Sequence, residues 1–524
     1  MTIRPLLLGM FKITSDRNSG ADPIREEAGK WTRALYANRW SGWRASTKAT
    51  RTPAAPWELI CAVLAAFANA MALKHPLPVA GVNYRKPEGV SGCRIARRVN
   101  SLCTGPAFAP APFLVGLLTG GPGWTSNGAI RNNPLLPTTL EKGTTLKITA
   151  VKTFVVGNPW KNWIFVKVET DAGITGLGEA TGGLATKPNL GDVEELARFV
   201  VGEDPRHPDR LWQKMYKGRF AGVSTGINGI ELACWDILGK SLGVPVWQLL
   251  GGKHRDSLRV YANGWYQGPR EPAFFAERAA QMAEAGYTAF KFDPFGGAHR
   301  HIDRASRRLS IEIVAAVRQA VGPDVDLCIE GHDRFSVSQA IDIGRALAPF
   351  EPMWFETPVH SDDMAATLAV ARAIDVPVAV GERYKRSGLF VDLLAAKVVD
   401  IVQPEVLSLG LANIKKVCGI AEAAEALVAC HQAQSPLCTA INVHIHAATP
   451  NFLIHENFDD SLEPWTWDVL SGVPRVQEGY LPVPDTPGWG VELDEDEAAR
   501  HPYGETNFLR LFEEGWETRK PLRP

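Results

Sequence analysis

The sequence predicts an α/β chain: a closed parallel (β/α) barrel, preceded by a separate α+β unit and a long irregular extension. Three observations predict it. From Ser257 onward, short apolar runs alternate with amphipathic stretches of 10–15 residues, the pattern of a parallel sheet with helical crossovers. Lys291, Glu330, Glu356, Glu382, Glu405, His431 and Glu456 close or follow such runs at separations of 39, 26, 26, 23, 26 and 25 residues. A charge directly after a buried strand is costly unless a partner or a metal meets it. A regular series of such charges is expected where barrel strands converge on one active site. The third observation is a charge asymmetry. Residues 1–145 hold 18 Lys/Arg against 7 Asp/Glu and the remainder 38 against 50, although the whole chain carries only −1.

Residues 1–145 lack sustained periodicity and are broken by Pro, Gly and Arg, so a disordered or loosely structured extension is predicted. Its basic charges are scattered and accompany no recognised motif, which argues against nucleic acid as a partner. The apolar run Trp57–Leu73 is interrupted by Glu58 and Asn69 and is too short for a confident membrane span. Order is predicted from Leu146. KITAVKTFVV and NWIFVKVETDAGITGLGEA read as strands with a hairpin turn at Asp171–Gly173. Helices follow in VEELARFVVG, DRLWQKMYKG and GINGIELACWDILGKSLG, the last stopping at Gly243 before Pro245.

Residues 146–256 are read as this α+β unit and 257–470 as the barrel, with strands in LRVYANGWY, YTAFKFDPFG, VDLCIEGH, PMWFETPV, VPVAVGER and DIVQPEVLS. Eight units favour closure over an open sheet. No GxGxxG or GxxxxGK[ST] motif is present to support a nucleotide site. The eight cysteines form no CxxC or zinc spacing, so a reducing, cytoplasmic setting is expected, with Cys328 and Cys430 as small buried hydrophobes.

Glu330, Glu356 and Glu382 end three consecutive strands. Neighbouring barrel strands lie about 4.8 Å apart, so three ionised carboxylates there would repel unless a divalent cation meets them, with ion pairs to Lys or Arg as the structural alternative. Hard oxygen donors without thiolate or clustered imidazole select Mg²⁺ or Mn²⁺. His332 lies two residues beyond Glu330, and His431 follows the strand after Glu405. A carboxylate on Nδ1 fixes an imidazole's tautomer and makes it a proton abstractor. The α-proton of a carboxylate is weakly acidic, so the dianion left by its removal needs cationic stabilisation. One of the two histidines then takes a C2 proton while the other protonates a departing 3-hydroxyl. Lys291 is read as neutralising the substrate carboxylate or metal site, with pairing to Asp293 as the structural alternative. Glu456 is read as a hydrogen-bonding partner of the substrate if protonated, with a structural ion pair as the alternative, and Asn263 as a contact to a polyol. His360, His444, His446 and His455 are read as structural.

Over residues 146–490 the chain resembles the mandelate racemase branch of the enolase superfamily. The carriers are GLGEA, ACWDILGKSLGVPVWQLLGG, KFDPFG, IEGHDRF, FETPVH, GER and IHENF. Within it, VYANGWYQ, FKFDPFG and the Glu-x-His-x-Arg-Phe stretch at 330–335 are most similar to sugar-acid dehydratases of the gluconate and galactonate type. The resemblance implies a modified TIM barrel, (β/α)7β, under an N-terminal α+β capping domain, with residues 471–524 returning to the cap. It implies Glu330, Glu356 and Glu382 as Mg²⁺ ligands, His431 as base with Glu405 as its partner, and His332 as general acid. It also implies a homo-oligomer acting on a small sugar acid. The superfamily's chemistry, a Lys or His base with Mg²⁺ stabilising an ene-diolate, enters through the resemblance alone.

Four positions depart from the family's pattern. Glu405 stands where Asp is usual, and the following QPEVLSLGLAN lacks the usual Gly-Gly. FETP replaces FEEP. Asp293 occupies the place where racemases carry a second catalytic lysine, which argues against a two-base racemase. Epimerisation or elimination on another α-substituted carboxylate is the second enzymatic reading. A catalytically weakened metal- and acid-binding protein is the third.

Overall fold

A computed structural model describes residues 145–518 apart from Leu184. The basic extension and its Trp57–Leu73 run therefore lie outside the described residues. The first layer is an antiparallel sheet of β1 (Ile148–Asn158), β2 (Lys161–Thr170) and β3 (Thr175–Glu179), in that order. The turn between β2 and β3 falls at Asp171–Gly173, where Gly173 takes a φ of 75°, the left-handed conformation that glycine adopts without steric cost.

Three helices cover the sheet: α1 (Thr186–Val200), α2 (Pro208–Arg219) and α3 (Thr225–Leu242). The Ser224 side chain caps α3 by accepting from Ile227 N, and Gly243 at φ 69° ends it. The closeness of α3 to β3 explains the GLG of the GLGEA motif. A Cβ on Gly176 would sit 2.0 Å from Ala233 O, and one on Gly178 would sit 2.1 Å from Gly229 O. Helix α3 is buried on nearly every side, and two of its polar residues reach the barrel. Asn228 Nδ2 donates to Leu407 O, and Glu231 accepts from Leu411 N and Ala412 N.

The barrel strands are β4 (Ser257–Ala262), β5 (Ala289–Phe292), β6 (Asp326–Glu330), β7 (Trp354–Glu356), β8 (Val378–Val380), β9 (Ile401–Val402), β10 (Leu427–Val428) and β11 (His455–Asn457). Each neighbouring pair is parallel, in the order β10-β9-β8-β7-β6-β5-β4-β11. The ring closes where Val428 N donates to Asn451 O and Leu453 N to Val428 O, both at 2.9 Å. Seven helices follow the first seven strands: α4 (Pro272–Glu284), α5 (Arg304–Val321), α6 (Val337–Leu347), α7 (Met364–Ala371), α8 (Ser387–Ala395), α9 (Leu411–Ala423) and α10 (Pro436–Ala447). This is the (β/α)7β arrangement.

Helix α5 shows why these segments are helical. The Asp303 side chain caps it by accepting from Ala305 N and Ser306 N, and Ser310, Ile313, Val314 and Val317 form its buried face. That i, i+3, i+4, i+7 spacing makes one apolar stripe.

The barrel interior is a ring with one residue per strand position: Tyr261, Ala289, Cys328, Trp354, Ala379, Ile401, Ala429 and Ile454. Large and small side chains interleave around it, so the barrel is packed rather than hollow. Side chains alternate along a strand. The residues two positions further on (Asn263, Lys291, Glu330, Glu356, Gln403, His431 and Glu456) therefore form the next inward layer, toward the C-terminal mouth.

The described part of the C-terminal segment touches both units. Tyr480–Pro482 pairs antiparallel with β4. Trp489 Nε1 donates to Leu177 O and Leu232 O in the cap, and Phe508 bridges to Lys161. All five described cysteines are free and buried. No helix among the described residues is long and apolar enough to cross a membrane.

Candidate active site

The inward layer at the barrel mouth places the predicted carboxylates together. Glu330 and Glu356 are register partners on β6 and β7. Glu382 arrives two residues after β8, through Gly381 at φ 136°, a conformation that L side chains rarely adopt. One carboxylate oxygen from each of Glu330, Glu356 and Glu382 lies within 4.8 Å of the others. Two oxygens bound to one Mg²⁺ at about 2.1 Å stand at most about 4.2 Å apart, so small side-chain rotations suffice. The residues present fit a hard divalent cation.

Electrostatics point the same way. Burial pushes Glu356 well above the ordinary carboxylate range, and Glu330 beside it adds to the effect. Burial also raises Glu330, only partly offset by Lys291. For Glu382 burial acts upward too, but the charges of His431 and Arg383 outweigh it and hold the group below its usual value.

Lys291 does not pair with Asp293. It is buried at 3% side-chain exposure, with Nζ 2.7 Å from Glu356, 2.7 Å from Glu456 and 3.3 Å from Glu330. Burial disfavours its charge, but these carboxylates hold its pKa well above the usual lysine value. It is an internal counter-ion to the acidic layer. Glu456 also differs from the sequence reading. It does not line the cavity, and it accepts from Asn263 Nδ2 and Gln432 N. Although burial acts upward, Lys291 and His431 lower its pKa to about 2, so it is ionised rather than protonated. Asn263 lines the cavity with its amide engaged, Nδ2 on Glu456 and Oδ1 accepting from Gly264 N.

Removing one partner from a buried ion cluster costs about 3–5 kcal/mol. Lys291→Met is therefore expected to lower the unfolding free energy by that order in chelator-treated protein. Added Mg²⁺ should restore more of the melting temperature in the variant than it adds to wild type. Equal Mg²⁺ responses would show that Lys291 does not balance these carboxylates.

His431 Nδ1 hydrogen-bonds Glu405, and its Nε2 lies 3.3 Å from Glu382. Glu405, one methylene longer than the usual Asp, still reaches the imidazole, and its Oε1 accepts from Leu407 N. Burial lowers the imidazole's pKa, but Glu382 and Glu405 outweigh it and raise it to about 9. His332 N donates to Glu330 Oε1 at 2.8 Å, and its Nδ1 lies 2.6 Å from Asp293 Oδ2. His444, His446 and His455 are engaged with other residues inside the fold. His446 Nε2 accepts from Cys430 N while its Nδ1 meets His455, and His444 Nδ1 accepts from Trp247 N.

A cavity of about 360 Å³ opens over this layer, lined by Glu330, His332, Glu382, Glu405 and His431. Its walls include groups that the sequence reading missed. Trp160 and Lys161 reach it from the cap, and Phe508, Leu511 and Trp516 from the C-terminal segment. Lys161 Nζ also donates to Ala433 O, tying cap to barrel.

Two family models match the chain: the mandelate racemase/muconate lactonizing enzyme N-terminal domain over residues 140–251, and the enolase C-terminal domain-like model over 275–497. A D-gluconate/D-galactonate dehydratase of Picrophilus torridus is 35% identical over 345 residues, covering 64% of this chain and 88% of the relative. A D-xylonate dehydratase of Haloferax volcanii is 34% identical over 378 residues, covering 69% and 90%. Among solved structures, a mandelate racemase/muconate lactonizing enzyme-like protein from a Roseovarius species superimposes with a TM-score of 0.65 at 34% identity, over 68% of this chain and 96% of that one. The barrel under its α+β cap, the carboxylate layer at the mouth and these matches together establish that the chain belongs to the mandelate racemase/muconate lactonizing enzyme branch of the enolase superfamily.

Proposed function

We propose that this chain dehydrates an aldonic acid of the D-gluconate or D-galactonate kind to its 2-keto-3-deoxy acid. Mg²⁺, or Mn²⁺ in its place, would be held by Glu330, Glu356 and Glu382. The observation that carries the reading is a pair of cavity-facing imidazoles, each with Nδ1 on a carboxylate, beside three convergent glutamates. The names of the relatives support the substrate class.

The bound cation would supply positive charge to the substrate carboxylate as negative charge develops on it. His431, oriented by Glu405, takes the C2 proton in its neutral form. His332 delivers a proton to the 3-hydroxyl as the C3–O bond breaks. A C2=C3 bond forms, water leaves, and the resulting enol tautomerises to the 2-keto acid. Trp160, Phe508 and Leu511 form an apolar part of the cavity wall beside these groups. The cavity falls within the roughly 300–1,000 Å³ of ordinary small-molecule sites. A two-base racemisation has no support, because Asp293 stands where the second base would be and is bound to Arg334.

The five cysteines among the described residues, all free and buried, support a reducing cytoplasmic setting.

The test is a library of sugar acids with Mg²⁺ and semicarbazide detection of 2-keto products. At least one aldonate is expected to give product. Exchange of the α-proton in D2O without keto product would shift the reading to epimerisation. Neither signal, with Mg²⁺ still bound, would make the protein a binder.

A further inference from the structure

Asp293 and Lys291 lie two residues apart at the end of β5, yet they serve different systems. Lys291 balances the glutamates, whereas Asp293 reaches to the end of β6. Its Oδ2 lies 2.6 Å from His332 Nδ1 and 2.6 Å from Arg334 Nη2, and its Oδ1 accepts from Phe295 N at 2.9 Å and from Arg334 Nη1 at 3.2 Å. Arg334 is fully buried and also donates to Gly296 O. The Asp293 carboxylate is therefore fixed from three directions.

The backbone carrying His332 is fixed as well. His332 and Asp333 take φ values of 49° and 59°, left-handed conformations that are costly outside glycine and persist where the surroundings over-determine them. Asp333 is held by Ser361 N and Oγ on Oδ1 and by Arg383 Nε on Oδ2, and its own N–H donates to Thr357 O. Trp516 stands edge-on to the His332 ring at 5.9 Å. With Nδ1 committed, His332 Nε2 makes no hydrogen bond to any described residue, and the ring lines the cavity. Glu405 holds His431 by the same nitrogen, so two different strands build one device twice.

We propose that Asp293, braced by Arg334, is the positioning residue of the general acid: it holds Nδ1–H of His332 so that Nε2–H faces the 3-hydroxyl of the substrate. This rests on the dehydratase reading. In the step it serves, the Nε2–H bond breaks and an O–H bond forms on the departing oxygen. The C3–O pair leaves with water, and His332 keeps its Nδ1–H, still donated to Asp293.

The test uses Asp293→Asn with D-gluconate or D-galactonate, whichever the wild type dehydrates, and with the corresponding 3-deoxy-3-fluoro acid. Fluoride leaves as an anion and needs little help from an acid. Dehydration of the hydroxy acid is expected to fall about 10²–10⁴-fold, the usual worth of a positioned acid. Release of fluoride and exchange of the C2 proton in D2O are expected to stay within about tenfold of wild type. A parallel fall in hydroxide and fluoride elimination, or no fall in either, would overturn the proposal.

Where Asp293→Asn fails to fold because Arg334 is left unpaired, the double variant Asp293→Asn/Arg334→Gln carries the same expectations. If the wild type dehydrates another aldonate of the library, the same comparison is made with that acid and its 3-fluoro analogue; if it dehydrates none, the dehydratase reading fails first. The positioning claim is then read by ¹⁵N NMR of histidine-labelled wild-type protein: a proton on His332 Nδ1 supports it, and a bare Nδ1 overturns it.

Discussion

Replacing His431 by Asn is expected to abolish turnover, by at least about 10³-fold for loss of a positioned general base, while cation affinity stays near the wild-type value. Asn retains some of the side-chain volume but has no ring nitrogen to take a proton. Glu405 would keep its bond to Leu407 N, so the loop is expected to hold. Exchange of the C2 proton in D2O should vanish together with dehydration, which separates this variant from Asp293→Asn, where exchange survives. A His431→Asn enzyme with wild-type rate, or with intact exchange, would remove His431 as the base.

Replacing Glu356 by Gln is expected to weaken Mg²⁺ binding by at least about 10–100-fold, the range seen when even an indirect supporter of a metal ligand is lost. Glu356 is the most buried of the three glutamates, fully enclosed and hydrogen-bonded to Trp354 Nε1 at 2.8 Å. The amide keeps the shape but loses the charge. The pH dependence adds an independent check. Without cation, burial holds protons on Glu330 and Glu356 above the ordinary carboxylate range. For His431, burial opposes the charge, but Glu382 and Glu405 raise the imidazole to about 9.

A cation favours ionised carboxylates and a neutral imidazole, so binding must release protons. Groups whose pKa is raised in the free protein make binding weaker at low pH and tighter as pH rises, with the imidazole contribution complete only above about pH 9. Calorimetric titration of the wild type from pH 6 upward should therefore show affinity increasing. Glu356→Gln should show a shallower rise. A flat or falling profile in the wild type, or unchanged affinity in Glu356→Gln, would take Glu356 out of the ligand set.

Much of the site was legible because strand alternation is strict. Ala289, Cys328, Trp354, Ala429 and Ile454 face the barrel interior, and Lys291, Glu330, Glu356, His431 and Glu456 each follow two residues later. A charge ladder in the sequence thus becomes a layer in the fold. Partner choice was not legible. Lys291 lies near the end of β5 and Asp293 directly follows the strand, but only the neighbouring strand ends decide that one leans toward Glu356 and the other toward His332. Glu456 shows the same limit. Its position in the layer was readable, but not the lysine that consumes its charge. The cavity wall of Phe508, Leu511 and Trp516 comes from residues more than 170 positions beyond His332 and depends on the chain's return past the cap. No local pattern encodes such a return.

Crystals of the protein soaked with Mn²⁺ and measured at an anomalous wavelength give the most direct test. The account predicts one strong anomalous peak at the barrel mouth, about 2.1–2.2 Å from an oxygen of each of Glu330, Glu356 and Glu382. A peak elsewhere, or a peak that leaves any of these three carboxylates beyond bonding distance, would contradict it.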